Sequence, residues 1–349
     1  NFKRLFYLTL TSSISGGLVG ILIAFYGGGV WALVAQQLCG SISTCIVFWL
    51  VLRWRPRAVI NWKRTGILFS FGWKLLASGI LDTLYNDLTG LIIGKKYTTT
   101  MLAYYDKGKL LPGRLISNIH SSIQSVMLPA MSREQEYRDR CKAMLRRSIQ
   151  VTSFVLFPMM AGLAAVSTPI VTILLTEKWL PCVPFMQLTC LLYAANPIMG
   201  ANLQALNALG LRDIFLKLEI IKKIVGLSIL AITVFCFQSA LAIVWGNVLT
   251  IPFGLFVNAF PNRKIVGYSF REQMRDIFPP MLLSVLMFCM VSAIEMFRLS
   301  VWTTLIVQIL AGVAFYTGIS ALLKLESFTY TFNIIKPYIR HIKRRRTGT

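Results

Sequence analysis

The chain has 349 residues, of which 56% are hydrophobic and 14% charged, and its formal net charge is +23. A soluble domain has about 45–50% apolar residues, even with Gly counted, and about 25% charged residues. The composition therefore excludes an ordinary soluble domain and indicates a polytopic membrane protein. A high positive charge is typical of nucleic-acid-binding proteins. Here, however, the basic residues lie in short clusters between apolar runs, so we expect no nucleic-acid partner.

The cysteines and histidines indicate neither a disulfide framework nor a metal site. The seven cysteines are scattered without C-x-x-C spacing, and an odd number in mostly apolar segments argues against disulfides and against zinc. The two histidines, His120 and His341, are too far apart in sequence to suggest a pair of ligands. The sequence has no P-loop, so ATP is not the expected energy source. We predict a protein that is not an enzyme and has no cofactor.

Ten apolar runs predict ten transmembrane helices, because about 20 mostly apolar residues cross a bilayer. The runs cover, to within a few residues, 7–26, 30–52, 67–94, 101–131, 149–175, 183–206, 224–237, 240–260, 277–297 and 301–323. The seventh is short and is expected to begin before Lys223, and residues 132–147 are interpreted as a charged amphipathic connection. Gly27-Gly28-Gly29 predicts a tight turn with a positive φ, which Gly adopts readily. No signal-peptide cleavage site follows the first run, so we expect the start at Asn1 to be a truncation.

The basic residues predict the orientation of these helices. The loops on the N-terminal side of the membrane hold 28 of the 36 Lys and Arg residues. The loops on the opposite side hold only Lys95, Lys96, Lys178 and Arg298. Cytoplasmic loops of membrane proteins carry this kind of excess. The sequence therefore predicts an even number of spans with both termini in the cytoplasm.

The fourth predicted helix, 101–131, has one narrow polar face. Arg114, Lys107, Asn118 and Ser121 fall within about 60° of one another on a helical wheel, and apolar residues occupy most of the rest. Arg114 lies about 20 Å from the start of the run and is too deep to reach the interface by snorkelling, so we expect it to face a protein interior or a watery cavity. For Asp106 and Lys107, which are near the start, snorkelling to the interface stays an equal alternative.

The third predicted helix repeats this arrangement. On one face it carries Lys74 and Asp82 together with Ser78, Tyr85 and Thr89. Only about six residues join the third and fourth helices, so their polar faces are expected to line a common cavity. Lys74, Lys107 and Arg114 would make that cavity cationic and suited to a diphosphate or an acidic sugar, with Ser121 as an additional substrate contact.

Three further residues on these helices have two possible roles each. Asp82 and Asp106 are either ion-pair partners of the cations or sites that bind H⁺ or Na⁺ and couple transport to a gradient. His120 is either a hydrogen-bonded structural residue or a proton relay, for which its ordinary pKa is suited. The sequence leaves both pairs of alternatives open.

Several stretches together resemble one known family. The fourth helix carries Tyr104-Tyr105-Asp106-Lys107-Gly108-Lys109, Leu111-Pro112 and the run from Ser121 to Pro129. Further patches are Ala24 to Gln37, Glu177-Lys178-Trp179, Asn207 to Lys223 and Ser269 to Gln273. These patches resemble the WzxC-like lipopolysaccharide and capsule flippases. Those are polysaccharide-transport members of the multidrug/oligosaccharidyl-lipid/polysaccharide exporter superfamily.

The resemblance implies an all-α, MATE/MOP-like bundle of two lobes. Members have fourteen helices, so ten spans with the N-terminus inside fit a chain that lacks the first four. Residues 1–64 would then be the last two helices of the N-terminal lobe, 65–262 the six-helix C-terminal lobe, and 263–349 an additional helix pair with a basic cytoplasmic tail.

The resemblance also implies a function and a location. The expected activity is alternating-access transport of undecaprenyl-diphosphate-linked oligosaccharide repeat units across the bacterial cytoplasmic membrane. The expected partners are this lipid-linked substrate, membrane lipids and polysaccharide polymerase or assembly proteins, with H⁺ or Na⁺ as a coupling ion. One alternative is a cation-coupled multidrug exporter of the same superfamily, whose cavity should be acidic. The other is a membrane enzyme of the same pathway, an acyltransferase or a polymerase, which should have a large outer loop that this sequence lacks.

Overall fold

The fold is taken from a computed structural model, which describes residues 2–51, 66, 69, 83, 87–297 and 299–330. Throughout these residues the regular structure is helical, with no strand. The predicted all-α class is therefore confirmed. The chain divides into two compact units, residues 1–78 and 79–349. The predicted domain boundary at 64/65 lies outside the described residues.

The first unit contains an antiparallel helix pair, α1 (Phe2–Phe25) and α2 (Val30–Val51). Between them Gly27 has a φ of 81° and Gly29 a φ of 50°, which confirms the predicted glycine turn. The contact between the helices is made by small residues: the Ser12 hydroxyl donates to the Gly40 carbonyl oxygen over 2.8 Å. A Cβ atom on Gly16 would lie 2.8 Å from the Gln36 carbonyl oxygen. Small residues permit this close approach, as is usual for helices in membranes.

The second unit is a larger helical bundle. After a helical segment at 87–96, its helices are α3 (Thr99–Arg133), α4 (Arg138–Ala165), α5 (Ser167–Leu175), α6 (Val183–Ala208), α7 (Arg212–Cys236), α8 (Ala240–Ala259), α9 (Asn262–Ile265), α10 (Phe270–Ala293) and α11 (Val301–Leu322), with 3₁₀ turns at Glu177–Cys182 and Ile294–Phe297. The most deeply buried helix is α6, which packs against α3, α4 and α8. The other long helices of this unit pack either against α6 or against a helix that contacts α6.

Among the described residues, six helical segments are long and apolar enough to cross a membrane: Val30–Leu50, Arg138–Ala165, Glu177–Ala208, Ala240–Ile265, Phe270–Phe297 and Val301–Leu322. The protein is therefore a polytopic membrane protein. The count of ten helices stays a prediction, because most of the predicted third helix lies outside the described residues. Among the others, α3 and α7 are long enough but carry several charges, and the apolar part of α1 is short.

The predicted fifth span, 149–175, is wrong as a single helix. The structure begins the helix earlier, at Arg138, and breaks it at Val166 before α5. The early start follows from Cys141 and Leu145, which lie one turn apart and are fully buried, so that the charged connection is itself helical. The break follows from Pro169, which has no N–H for the carbonyl of Ala165 and is tolerated in the first turn of a new helix.

Two sets of contacts mark the two ends of the second unit. At one end Lys142 lies 2.9 Å from Glu272, and the Arg138 guanidinium donates to the Lys264 carbonyl oxygen. At the other end the Lys96 ammonium donates to the carbonyl oxygens of Val234 and Phe237. Each set joins loops that the charge pattern assigns to one side of the membrane. We call the first the basic end and the second the opposite end; that the basic end faces the cytoplasm stays a prediction.

Candidate functional site: the polar face of α3

A close helix–helix contact decides which way α3 faces. Gly108 lies so near the start of α6 that an added Cβ would be 2.8 Å from the Met186 nitrogen and 2.9 Å from the Cys182 carbonyl oxygen. No larger residue fits there without moving backbone. Tyr105, Pro112 and Ile116 are buried on the same side of α3. This side of the helix therefore packs against α6.

The predicted polar face lies on the opposite side of α3. Arg114, Asn118 and Ser121 are exposed, as is Asp106. In the described part of the chain no carboxylate forms an ion pair with Arg114. The Ser121 hydroxyl donates to the Asn118 carbonyl oxygen over 3.0 Å, a local contact within the helix. The described part of the second unit therefore leaves the Arg114 side chain exposed near the middle of a long helix.

Lys107 is placed at the opposite end of the bundle, among aromatic rings. Its ammonium nitrogen lies 5.6 Å from the centre of the Trp179 ring, and Trp179 meets Tyr104 edge-to-face at 5.9 Å. A cation over an aromatic face is attracted by the ring quadrupole. Trp side chains are typical of the membrane–water boundary. Of the two alternatives for Lys107, this position favours the one in which its side chain reaches toward the interface.

The remaining predicted site residues lie wholly or partly outside the described residues. Lys74 and Asp82 lie outside the described residues, and so does the side chain of His120, although its backbone belongs to α3. The common cavity between the third and fourth predicted helices therefore stays a prediction. So do the ion pairs and the coupling roles considered for Asp82, Asp106 and His120.

Sequence reasoning missed an ion-pair cluster at the basic end. Arg146 on α4 donates twice to the Asp276 carboxylate on α10, at 2.8 and 2.9 Å. Asp276 also accepts from the Tyr268 hydroxyl at 2.7 Å and from the Gln150 amide at 3.1 Å. Burial and the Asp276 carboxylate raise the pKa of Tyr268, so its hydroxyl keeps its proton and donates. Only the S-x-x-E spacing of Ser269 and Glu272, a capping box at the start of α10, signals this region in the sequence.

A buried group of amides next to that cluster was also missed. Asn202 on α6 and Gln273 on α10 exchange two amide hydrogen bonds, at 2.9 and 3.0 Å, and Asn262 donates to the Asn202 side-chain oxygen at 2.7 Å. All three side chains are essentially inaccessible to solvent. An unpaired polar group in an apolar interior is costly, and of these three side chains only the Asn262 oxygen has no hydrogen-bond partner among the described residues. These contacts join α6, α9 and α10.

The fold defines a class: an all-α polytopic membrane protein, one of whose long helices carries an exposed polar face. Comparison with known families narrows this class. A family model described as polysaccharide biosynthesis protein matches residues 1–184, more than half of the chain. The chain belongs to the polysaccharide biosynthesis protein family.

Individual relatives agree with this assignment at low identity. The chain is 25% identical to the succinoglycan biosynthesis transport protein ExoT of Rhizobium meliloti (strain 1021), over 55% of this chain and 39% of the relative. It is 24% identical to the teichuronic acid biosynthesis protein TuaB of Bacillus subtilis (strain 168), over 61% and 45%. It is 22% identical to the lipopolysaccharide biosynthesis protein WzxC of Escherichia coli (strain K12), over 78% and 56%.

These alignments cover about 39–56% of the length of the relatives, so the chain spans roughly half of each. No solved structure is significantly similar to the chain. The relatives therefore support membership of a polysaccharide biosynthesis and transport family.

Proposed function

We propose that this protein is a flippase that moves lipid-linked oligosaccharide repeat units from the inner to the outer leaflet of the bacterial cytoplasmic membrane for surface polysaccharide assembly. The observation that carries the proposal is the uncovered polar face of α3, where Arg114 is exposed near the middle of a 35-residue helix. An arginine that faced lipid there would cost several kcal/mol, by about the amount that insertion scales assign to a mid-membrane charge. The face is therefore suited to a polar ligand or a watery cavity.

The chemistry of the face fits the head of a polyprenyl-diphosphate-linked sugar, such as an undecaprenyl-diphosphate-linked repeat unit. The planar Arg114 guanidinium would bind one phosphate through two parallel N–H donors, and Lys74 would add a point charge. Asn118 and Ser121, one and two turns along the helix, would hydrogen-bond to sugar hydroxyls. The lipid tail would stay in the bilayer while the face opens alternately to the two sides of the membrane.

The alternatives need different features. A multidrug exporter for organic cations would need an acidic face, whereas α3 carries Arg114 at its middle and has no carboxylate between Lys107 and Arg133. An enzyme of the same pathway, an acyltransferase or a polymerase, is less well supported. The relative ExoT is named a transport protein, and the name of the relative TuaB includes no reaction.

The remaining parts of the proposal concern orientation, coupling and partners. The excess of basic residues on one side supports cytoplasmic termini. Coupling to H⁺ or Na⁺ would use Asp82, Asp106 or His120, because carboxylates and imidazole are the groups there that bind these ions. The expected partners are the lipid-linked substrate, membrane lipids and polymerase or assembly proteins.

The test replaces Arg114 in cells whose surface polysaccharide depends on this protein. Arg114→Ala should reduce exported polysaccharide at least about tenfold, since it removes a charge-assisted bidentate contact. Arg114→Lys should restore part of the export, because the charge remains while the planar fork is lost. Lys109→Ala is the matched control: it removes a cation from the same helix, on a different side, where Lys109 lies 5.4 Å over the Tyr105 ring.

Protein abundance in the membrane separates a role in transport from a role in folding. Export that falls while abundance stays normal supports the flippase assignment. If Arg114→Ala exports at the wild-type level and normal abundance, the cationic face does not bind the substrate and this proposal is wrong. If abundance falls and export recovers when abundance is restored, Arg114 is structural and the proposal is equally wrong.

A further inference from the structure

The basic end of the second unit contains a cavity that the transport proposal does not use. It has a volume of about 510 Å³, within the range of small-molecule sites. It lies between α4, α10 and the segment after α11, and its charged lining is Lys142, Arg146, Arg275, Glu272, Asp276 and Glu326. Three cations and three carboxylates make the lining neutral overall. A cavity of mixed charge is suited to a ligand that itself carries both signs.

Two of the charged groups are available to a ligand. The other cations are engaged, because Lys142 pairs with Glu272 at 2.9 Å and Arg146 pairs with Asp276 at 2.8 Å. Arg275 is exposed and forms no ion pair or hydrogen bond with any residue that the structure describes. The Glu326 side chain is 74% exposed and has only long contacts, 3.6 Å to Arg146 and 3.4 Å to the Gln150 amide. One free donor and one loosely held acceptor therefore remain at the rim of the cavity.

The cavity lies where the helices leave the apolar part of the membrane. The continuous apolar run of α10 begins at Ile277, directly after the charged residues. On the helical wheel Arg275 shares one face of α10 with Phe278 and Leu282, since these positions lie within about 60° of Arg275. Phe278 is 54% and Leu282 45% exposed. An exposed apolar strip therefore runs from the cavity along the part of α10 that crosses the bilayer.

We propose that this cavity binds the headgroup of a zwitterionic aminophospholipid, with its acyl chains along the apolar strip of α10. Arg275 donates to the phosphodiester, and Glu326 accepts from the ammonium group. Basic pockets beside membrane helices commonly hold lipid headgroups, but those for anionic lipids have an excess of cations that this lining lacks. The balance of charge therefore selects a lipid with an amine over one with a phosphate alone.

The experiment measures lipid binding to the detergent-purified protein by native mass spectrometry. The probes are phosphatidylethanolamine and phosphatidylglycerol with identical acyl chains, which differ only in the headgroup beyond the phosphate. Wild type should bind phosphatidylethanolamine preferentially. Arg275→Ala should weaken binding of both lipids about tenfold, the effect of losing one charge-assisted hydrogen bond. Glu326→Gln should weaken phosphatidylethanolamine alone, so that the preference between the lipids disappears.

The controls separate this site from non-specific lipid adhesion and from unfolding. Arg271→Ala removes another exposed arginine of α10 that does not line the cavity, and it should bind like wild type. Arg275→Lys, which keeps the charge, should retain most of the binding. The Arg275 variants should unfold at the wild-type temperature, because Arg275 forms no ion pair or hydrogen bond with any described residue. Glu326→Gln should shift that temperature little, because the Glu326 side chain is 74% exposed and its contacts are long.

Three results would overturn the proposal. One is equal binding of both lipids by wild type, and another is equal loss in the Arg271→Ala and Arg275→Ala variants. The third is competition by soluble phosphoethanolamine as strong as that by the lipid, which would mean that a free phosphate–amine compound is the ligand. Because these measurements need no transport, their outcome is independent of the flippase assignment.

Discussion

Arg114 and Arg146 lie on helices of the same bundle in opposite electrostatic settings. Arg146 forms two hydrogen bonds with Asp276, whose side chain is only 8% exposed, at the basic end of the bundle. Arg114 is exposed on α3 and pairs with no carboxylate in the part of the chain that the structure describes. A protein holds a charge without a partner at membrane depth only where something else supplies one. The comparison teaches that Arg146 and Asp276 at the basic end pair with one another, while Arg114 is exposed with no described carboxylate beside it.

The largest expected effect on stability comes from removing the shared carboxylate. Asp276→Ala should lower the free energy of unfolding by about 3 kcal/mol, because Arg146, Tyr268 and Gln150 all lose an acceptor and Arg146 is half-buried. Thermal unfolding in detergent measures this. Arg114→Ala in the same assay should change the unfolding free energy by less than about 0.5 kcal/mol. Equal losses in the two variants would contradict the comparison.

A smaller effect is expected where α3 meets α6. Gly108→Ala should destabilise the protein by about 1–3 kcal/mol, because the added Cβ meets backbone atoms at 2.8–2.9 Å and the helices must separate. Gly113→Ala is the matched control on the same helix, since its Cβ would lie an ordinary 3.6 Å from the Tyr193 ring. Unfolding and polysaccharide export are measured together.

Gly108→Ala should also reduce export, because the same contact directs the polar face of α3 away from α6. If Gly113→Ala were as harmful as Gly108→Ala, glycine flexibility rather than close packing would be the cause. The distinction between a packed side and an open side of α3 would then need revision.

The smallest effect is expected at the helix cap of the basic end. The Ser269 hydroxyl accepts from the Glu272 N–H, and the Glu272 carboxylate accepts from the Ser269 N–H at 2.7 Å. Ser269→Ala should therefore lower the free energy of unfolding by about 1 kcal/mol. Ser228→Ala, an exposed serine inside α7 whose hydroxyl donates to the Ile224 carbonyl, should be nearly neutral. A neutral Ser269→Ala would show that the Ser269 hydroxyl does not stabilise the start of α10.

The apolar runs and their periodicity predicted the helices well, and they predicted which side of α3 is polar. Helix bounds at 183–206 and 301–323 agree with α6 and α11 to within two residues, because long apolar segments between loops have few alternatives. The break at Val166 was missed because a proline can kink a membrane helix as well as end it. Whether a proline kinks or ends a helix depends on the neighbours that satisfy the freed carbonyl.

The contacts at the basic end were not predictable for a different reason. Arg146 and Asp276 are 130 residues apart, and nothing in either local sequence shows that their helices are neighbours. The same holds for Asn202 and Gln273, 71 residues apart. Charge patterning assigned the segments of Arg146 and Asp276 to one end of the bundle, but an end of a bundle contains many possible pairs. Only the packing of α4, α6 and α10 selects among them.

The amide pair between Asn202 and Gln273 has a mechanical consequence. To slide or tilt α10 relative to α6, the protein would have to break two hydrogen bonds at a place that water does not reach, and the Gln273 side-chain oxygen would lose its hydrogen-bond donor. Together with the Arg146–Asp276 contact, this fastens α10 to both α4 and α6. These three helices should therefore move as one rigid body, and any bending of α4 against α5 should occur at the break at Val166, where the helix is already interrupted.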